Sequence, residues 1–336
     1  MTTKWTSTSI SNLYRRSNKL KTTQNLFNSE LRGEIPKAQR ISRGATKVRY
    51  WKTEDLPLIG LKYGFISAPA NPTFLSFYTA KGGTLKTTMS YNFARILALN
   101  GLKVLIIGLD IQLSITEAIA PTLTAESLEN LTTPTGLYDF LYRDCSISEV
   151  VKSTDLPNLF YIPETPELQT LEKNLKNESR KEYFFLDKLK ASIGNYDVII
   201  FDNSPSWSSL TENSLVCSDS IISPVGCEIN SYRAMKQHLD FLRAFKKTMR
   251  LKWHNIIAVP TLLEKTNISQ QIYGSYLNQY PDCIVSTPIR RSVKGHESSM
   301  YGISILEYDS LSTLSEDYLD LMLSICPKLL PSNNVS

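Results

Sequence analysis

Between residues 74 and 110 an apolar run (FLSFYTA), a loop with two glycines between two lysines (KGGTLK), a helical stretch (TTMSYNFARILALNG) and a second apolar run (KVLIIGLD) follow without interruption. No other segment restricts the fold as much. Two apolar runs of strand length joined through a helix form a βαβ unit with parallel strands, and Gly101 ends the helix. Further strand-like runs occur at LFYIP (159–163), YDVIIFD (196–202), SIISPV (220–225), NIIAVPT (255–261) and CIVST (283–287), mostly separated by helical stretches. The pattern predicts an α/β fold: a mostly parallel sheet covered by helices on both faces. Such sheets bind ligands at the carboxyl ends of their strands.

The lysine-flanked loop lies at such an end. Loop N–H groups and the positive end of the following helix converge on one point, which favours an anion. Gly82 and Gly83 allow close backbone approach, Lys86 can reach terminal phosphates, and the Thr87 hydroxyl stands where a phosphate-bound Mg²⁺ needs a ligand. The expected ligand is a nucleoside triphosphate. The standard pattern G-x-x-x-x-G-K-[ST] is nevertheless broken twice, by Ala80 and Leu85.

Charge divides the chain. Residues 1–55 hold twelve Lys or Arg against four acids, while the whole chain is only +5, so the remainder is net acidic. A basic head is either a polyanion-binding appendage or a solvated leader. Its pattern favours the first. TQNLFNSELR (23–32) reads as a short helix, GEIP as a turn and KVRYW (47–51) as a strand of a small wing. TEDLPLIGLKYG then opens a helix with Thr53 as cap. These elements predict a winged helix-turn-helix over residues 1–70, joined by SAPANPT (67–73) to a second domain at 71–336. Arg40, Arg43, Lys47 and Arg49 are its candidate DNA contacts.

No apolar run is long enough to cross a membrane, and the first twenty residues lack a secretory pattern, so a cytoplasmic protein is expected. Five scattered cysteines and three separated histidines suggest neither a disulfide framework nor a metal site.

The loop KGGTLKTT resembles the deviant phosphate loop K-G-G-x-x-K-[ST] of the ParA/MinD family of ATPases, in its plasmid-partition branch. VLIIGLDIQ is similar to the family's strand ending in D-x-D-x-Q, with Gly108 at the first Asp; YDVIIFDNSPSW resembles its Walker B strand. IPKAQRISRGATKVRYW is similar to part of the DNA-binding extension of larger members. The resemblance implies that Lys81, Gly82, Gly83, Thr84, Leu85, Lys86, Thr87 and Thr88 bind ATP or ADP, with Lys81 reaching phosphates of the second subunit in a homodimer. It further implies that Thr87 and Asp202 serve Mg²⁺ and that Asp110 orients the attacking water. Loops near Pro260 and Pro288 are where adenine contacts are expected. With Gly108 in place of a carboxylate, slow hydrolysis is expected.

The resemblance also implies DNA and a ParB-type partner, with nucleoid association. Residues 233–252 form a candidate non-specific DNA surface, an amphipathic helix whose basic face carries Lys236, Arg243, Lys246, Lys247 and Arg250. Arg290, Arg291 and Lys294 form a second cluster. The C-terminal SEDYLDLMLSICPKLLPSNNVS has one lysine against three acids, which argues against a basic membrane anchor. The alternative to a partition ATPase is a nucleotide-responsive DNA-binding repressor with little or no hydrolysis.

Overall fold

The computed structural model describes residues 4–43, 46–119 and 134–331. The chain starts with strand β1 (Trp5–Thr6) and helix α1 (Ser7–Leu13), whose cap Thr6 accepts a hydrogen bond from Ser9 N. Helix α2 (Thr23–Leu31), strands β2 (Gln39–Arg43) and β3 (Thr46–Trp51), and helix α3 (Leu56–Tyr63) follow. The three strands form a small antiparallel sheet in the order β1-β3-β2. Trp51 is fully buried beneath it and donates from Nε1 to the Pro36 carbonyl at 2.7 Å. Thr53 does not cap α3. Residues Thr53–Asp55 form a 3-10 turn instead, because the Asp55 carboxylate accepts from Lys52 N at 2.9 Å, and α3 starts at Leu56 with Pro57 in its first turn.

From Thr73 strands and helices alternate. Strand β4 (Thr73–Phe77), helix α4 (Lys86–Leu99), strand β5 (Val104–Leu109) and helix α5 (Ser114–Ile119) come first. Short helices α6 (Leu137–Tyr142) and α7 (Ile147–Val150) lead to strands β6 (Lys152–Ser153) and β7 (Leu159–Ile162), then helix α8 (Leu168–Leu175). Strand β8 (Val198–Asn203), helix α9 (Ser209–Cys217), strand β9 (Ser220–Gly226), helix α10 (Ile229–Thr248) and strand β10 (Asn255–Thr261) complete the sheet. Helices α11 (Asn267–Gln279), α12 (Val293–Met300), α13 (Ile305–Tyr308) and α14 (Thr313–Leu329) close the chain.

The large sheet has the order β10-β9-β4-β8-β5-β7-β6 and is parallel except for the β6–β7 pair. Its central strands β4, β5, β8 and β9 are buried at every residue because both faces are covered. Phe77, Ile106 and Ile200 join the α4 side of the core, while Phe74, Leu105 and Phe201 join the other. CIVST is not a strand. It touches β10 through one bridge, Ala258 to Ile284, since Pro281 and Pro288 bound it and remove donors a ladder would need.

The N-terminal region is docked on the sheet domain through one continuous apolar cluster. Gly60 of α3 lies so close to α4 that a Cβ there would sit 1.9 Å from the Leu99 carbonyl oxygen. Tyr14 donates to the carbonyls of Leu99 and Leu56, and Asn100 Oδ1 accepts from Phe65 N and Ile66 N. Arg15 and Arg16 reach Glu316 on α14. The connection at 67–72 is mostly exposed, but Ala70 N is tied to the Pro331 carbonyl at 3.0 Å.

Candidate nucleotide-binding site

The carboxyl ends of β4, β5 and β8 meet beside the lysine-flanked loop. Gly83 has φ +72, and Leu85 adopts a left-handed φ of 67 immediately before α4. The backbone therefore keeps a glycine-like turn although leucine occupies it. Packing of the half-buried Leu85 side chain against the core holds that disfavoured conformation. A Cβ at Gly82 would meet no atom within 4 Å, so packing among the described residues does not require glycine there. Thr84 is buried and accepts at its carbonyl from Thr261 Oγ1 at 3.1 Å, which ties the loop to the end of β10.

Lys86 is the first residue of α4 and is buried; Thr87 and Thr88 follow in its first turn. Thr87 Oγ1 and Ser90 Oγ, three residues apart on one helix face, each donate at 2.8 Å to one oxygen of Asp202. Asp202 is fully buried, and burial pushes its carboxyl up to about 6 despite the opposing charge of Lys86 and the two hydroxyls. Ser90 was not singled out from sequence, although its spacing from Thr87 carried the signal. Lys81 stands half-buried at the loop entrance. Beside it a cavity of about 480 Å³ lies between the loop and α10, walled by Tyr78, Trp207, Met235 and His238.

Asp110 is buried just beyond β5, where its Oδ1 accepts from Gln112 N at 3.1 Å. Gly108 pairs with Asp202 across β5 and β8. A carboxylate absent from the sequence reading, Glu164, fills the adjacent space and accepts from the backbone of Asp110, Ile115 and Thr116. Burial, with Asp202 and Asp110 nearby, raises its carboxyl well above the ordinary range. Pro260 is buried in β10 with its carbonyl taken by Ile289 N at 2.8 Å, so the segments carrying Pro260 and Pro288 are joined.

The candidate DNA contacts divide into free and occupied charges. Arg40, Lys47 and Arg49 share one face of the β2–β3 ribbon, but Arg49 pairs with Glu30 at 2.9 Å and lies on Phe27. The side chain of Arg43 is outside the described residues. On α10, Lys236 and Lys247 are exposed, Arg243 is 3.9 Å from Asp240, and Lys246 donates to the Trp253 carbonyl. Arg250 is not on that helix, which ends at Thr248; it takes φ 52 in the turn beyond, where Leu251 N bonds Lys246 O. Arg290 forks onto buried Asp317, Arg291 bridges Glu228 and Glu264, and Lys294 meets Asp309, so the second cluster is locally neutralised.

Residues 73–256, more than half of the chain, match a family described as AAA domain. The chain is also 32% identical over 242 residues to the sporulation initiation inhibitor protein Soj of Bacillus subtilis, covering 72% of this chain and 93% of that one. It belongs to the ParA/MinD family of P-loop ATPases. Chromosome partitioning protein ParA of Caulobacter vibrioides is 27% identical over 256 residues, 75% of this chain and 93% of the relative. A Borrelia burgdorferi plasmid partition protein solved with AMPPNP superposes with a TM-score of 0.59 at 24% identity, covering 75% of this chain and all of that one. This likeness extends the ParA/MinD fold to the described sheet. No helix among the described residues is long and apolar enough to cross a membrane.

Proposed function

We propose that the chain is a ParA-type partition ATPase with a deviant Walker A loop. It forms an ATP-sandwich homodimer with Mg²⁺, binds nucleoid DNA in that state and is stimulated by a ParB-type partner. Its N-terminal winged region recognises operator DNA and represses its own operon. The observation that carries the reading is the meeting of buried Lys86, the Thr87–Asp202 pair and Asp110 at the carboxyl ends of the central strands. The names of its relatives, two of them partition proteins, support the same conclusion.

The oxygen donors of Thr87 and Asp202 suit a hard cation such as Mg²⁺, which these two residues would hold. Bound there, Mg²⁺ would neutralise charge on the β- and γ-phosphates. Lys86 and the amides of Gly82, Gly83 and Thr84 would hold the phosphate oxygens, Lys81 would reach the nucleotide of the second protomer, and Asp110 would orient the attacking water. The joined segments at Pro260 and Pro288 would flank adenine. Arg40 and Lys47 would contact operator DNA, while Lys236, Arg243, Lys247 and Arg250 would contact nucleoid DNA. Arg49, Lys246, Arg290, Arg291 and Lys294 would contribute less, because each already has a partner.

The test is sedimentation and phosphate release with the full chain. A dimer is expected with Mg·ATP and a monomer with ADP, with turnover rising on random-sequence DNA. A monomer indifferent to millimolar Mg·ATP would overturn the proposal. The second reading, a nucleotide-responsive repressor with little hydrolysis, draws on Gly108 and the exposed ribbon; steady phosphate release excludes it.

A further inference from the structure

Gly108 leaves no room for a side chain of its own. A Cβ there would lie 2.3 Å from Glu164 Cγ, 2.5 Å from Glu164 Cδ and 2.4 Å from Ile115 Cγ2. The space belongs to Glu164, two residues beyond β7, which is 2% exposed. Burying a carboxylate is costly unless donors surround it. Here Oε1 accepts from Asp110 N at 3.2 Å, and Oε2 accepts from Ile115 N at 3.0 Å and Thr116 N at 3.1 Å. The Glu164 N–H in turn donates to Thr116 Oγ1 at 2.7 Å. One side chain therefore grips both ends of the turn that leaves β5 and enters α5, and Asp110 is the first residue of that turn.

We propose that Glu164 is the positioning residue for Asp110, a carboxylate supplied from the neighbouring strand end because position 108 carries none, and that Gly108 is glycine to admit it. The proposal rests on the reading of Asp110 as the residue that orients water. Glu164 touches no reacting atom; it sets where the Asp110 backbone stands. An interaction of this kind shows in turnover rather than in substrate affinity.

The experiment uses the full chain with Mg·ATP. Glu164→Ala should lower kcat at least about ten-fold and leave the KM for ATP within about two-fold. Gly108→Asp alone should be comparably slow, since its side chain collides with Glu164. The double variant Gly108→Asp/Glu164→Ala, which returns a carboxylate from the other strand, is made together with Ile115→Ala so that the Ile115 Cγ2, 2.4 Å from the new Cβ, is cleared as well, and should recover kcat to within about three-fold of Ile115→Ala alone. A wild-type kcat for Glu164→Ala, or a combined variant no faster than the slower single one, would overturn the proposal. Glu164→Gln keeps the shape but turns one acceptor into a donor facing an N–H; an unchanged kcat there would overturn it as well. Amide hydrogen exchange at Asp110, Ile115 and Thr116 reads the grip without turnover. These amides should be protected in the wild type and lose protection in Glu164→Ala. Absence of protection in the wild type sinks the positioning role, whereas absence of ATP binding with protection intact sinks the partition reading instead.

Discussion

The two ends of α4 face the same physical problem and meet it in opposite ways. A helix leaves its first N–H groups and its last carbonyls without partners inside itself. At the C-terminal end the chain supplies them: Tyr14 donates to the Leu99 carbonyl, Asn100 Nδ2 donates to Ile96 O, and Gly101 turns away at φ +93. At the N-terminal end no side chain among the described residues caps the helix, which starts at Lys86 straight after the left-handed Leu85. Burial of apolar surface from α3 explains the first end. The second keeps its positive dipole and its lysine for an anion from outside the chain. One end is thus architecture and the other is the proposed binding site, and variants along the helix separate them.

The largest effect is expected at the open end. Lys86→Ala should abolish ATP binding measured by fluorescent-nucleotide titration, a loss of at least about a hundred-fold. Undiminished affinity would remove the anion-binding role from this end. The middle of α4 should behave as architecture. Arg95 is buried between Glu307 and Asp155, with the Glu307 carboxylate 2.7 Å away and equally buried. Glu307→Ala leaves a cation in the core, so urea unfolding should show a loss of about 3–5 kcal/mol. A much smaller loss would mean that the half-exposed Asp155 neutralises Arg95 by itself.

The next effect concerns the carboxylate facing the open end. Burial raises Asp202 from 3.8 to about 6. Between these values the folded chain still holds a proton that the unfolded chain has released. Stability without nucleotide therefore falls as pH rises from about 4 to about 6 and stays lower above it, by roughly 2–3 kcal/mol. Asp202→Asn should remove this part of the slope and stabilise the ligand-free protein at pH 7.5 relative to pH 5 when urea midpoints are compared. Glu164 is raised in the same direction, so the difference between wild type and variant isolates Asp202. An identical slope in both would show that Thr87 and Ser90 already offset the burial.

These contrasts also explain what could be read from sequence. The strand, loop and helix around Lys86 are continuous in the chain, and their periodicity and glycines carry the information locally. Asp202 was legible because four apolar residues precede it on a strand that such a fold must place next to β4. Glu164 was not, because its meeting with Gly108 depends on β7 lying beside β5, and the Asp110–Glu164 contact spans 54 residues. The partners of Arg290, Arg291 and Lys294 were hidden likewise, just before α10, on α14 and in the segments near Glu264 and Asp309. The docking of the N-terminal region depends on Gly60, which in sequence is one glycine inside an apolar helix.

The smallest effect tests whether the two ends of α4 are independent. The Tyr14 hydroxyl is fully buried, and burial raises its phenol far above the ordinary value, so it stays neutral and donates to the Leu99 carbonyl at 2.6 Å. Tyr14→Phe keeps the ring and deletes that donor, leaving a buried carbonyl at the closed end short of a partner. The expected cost is about 1–2 kcal/mol in urea unfolding. If the closed end is architecture alone, ATP affinity should stay within about two-fold of the wild type, because the phosphate loop lies a helix length away. A variant that loses both stability and ATP affinity would join the ends instead. In that case the rigid body of α4, gripped at Leu99, would connect the N-terminal region to the phosphate loop, and nucleotide occupancy would in turn alter how tightly that region is held.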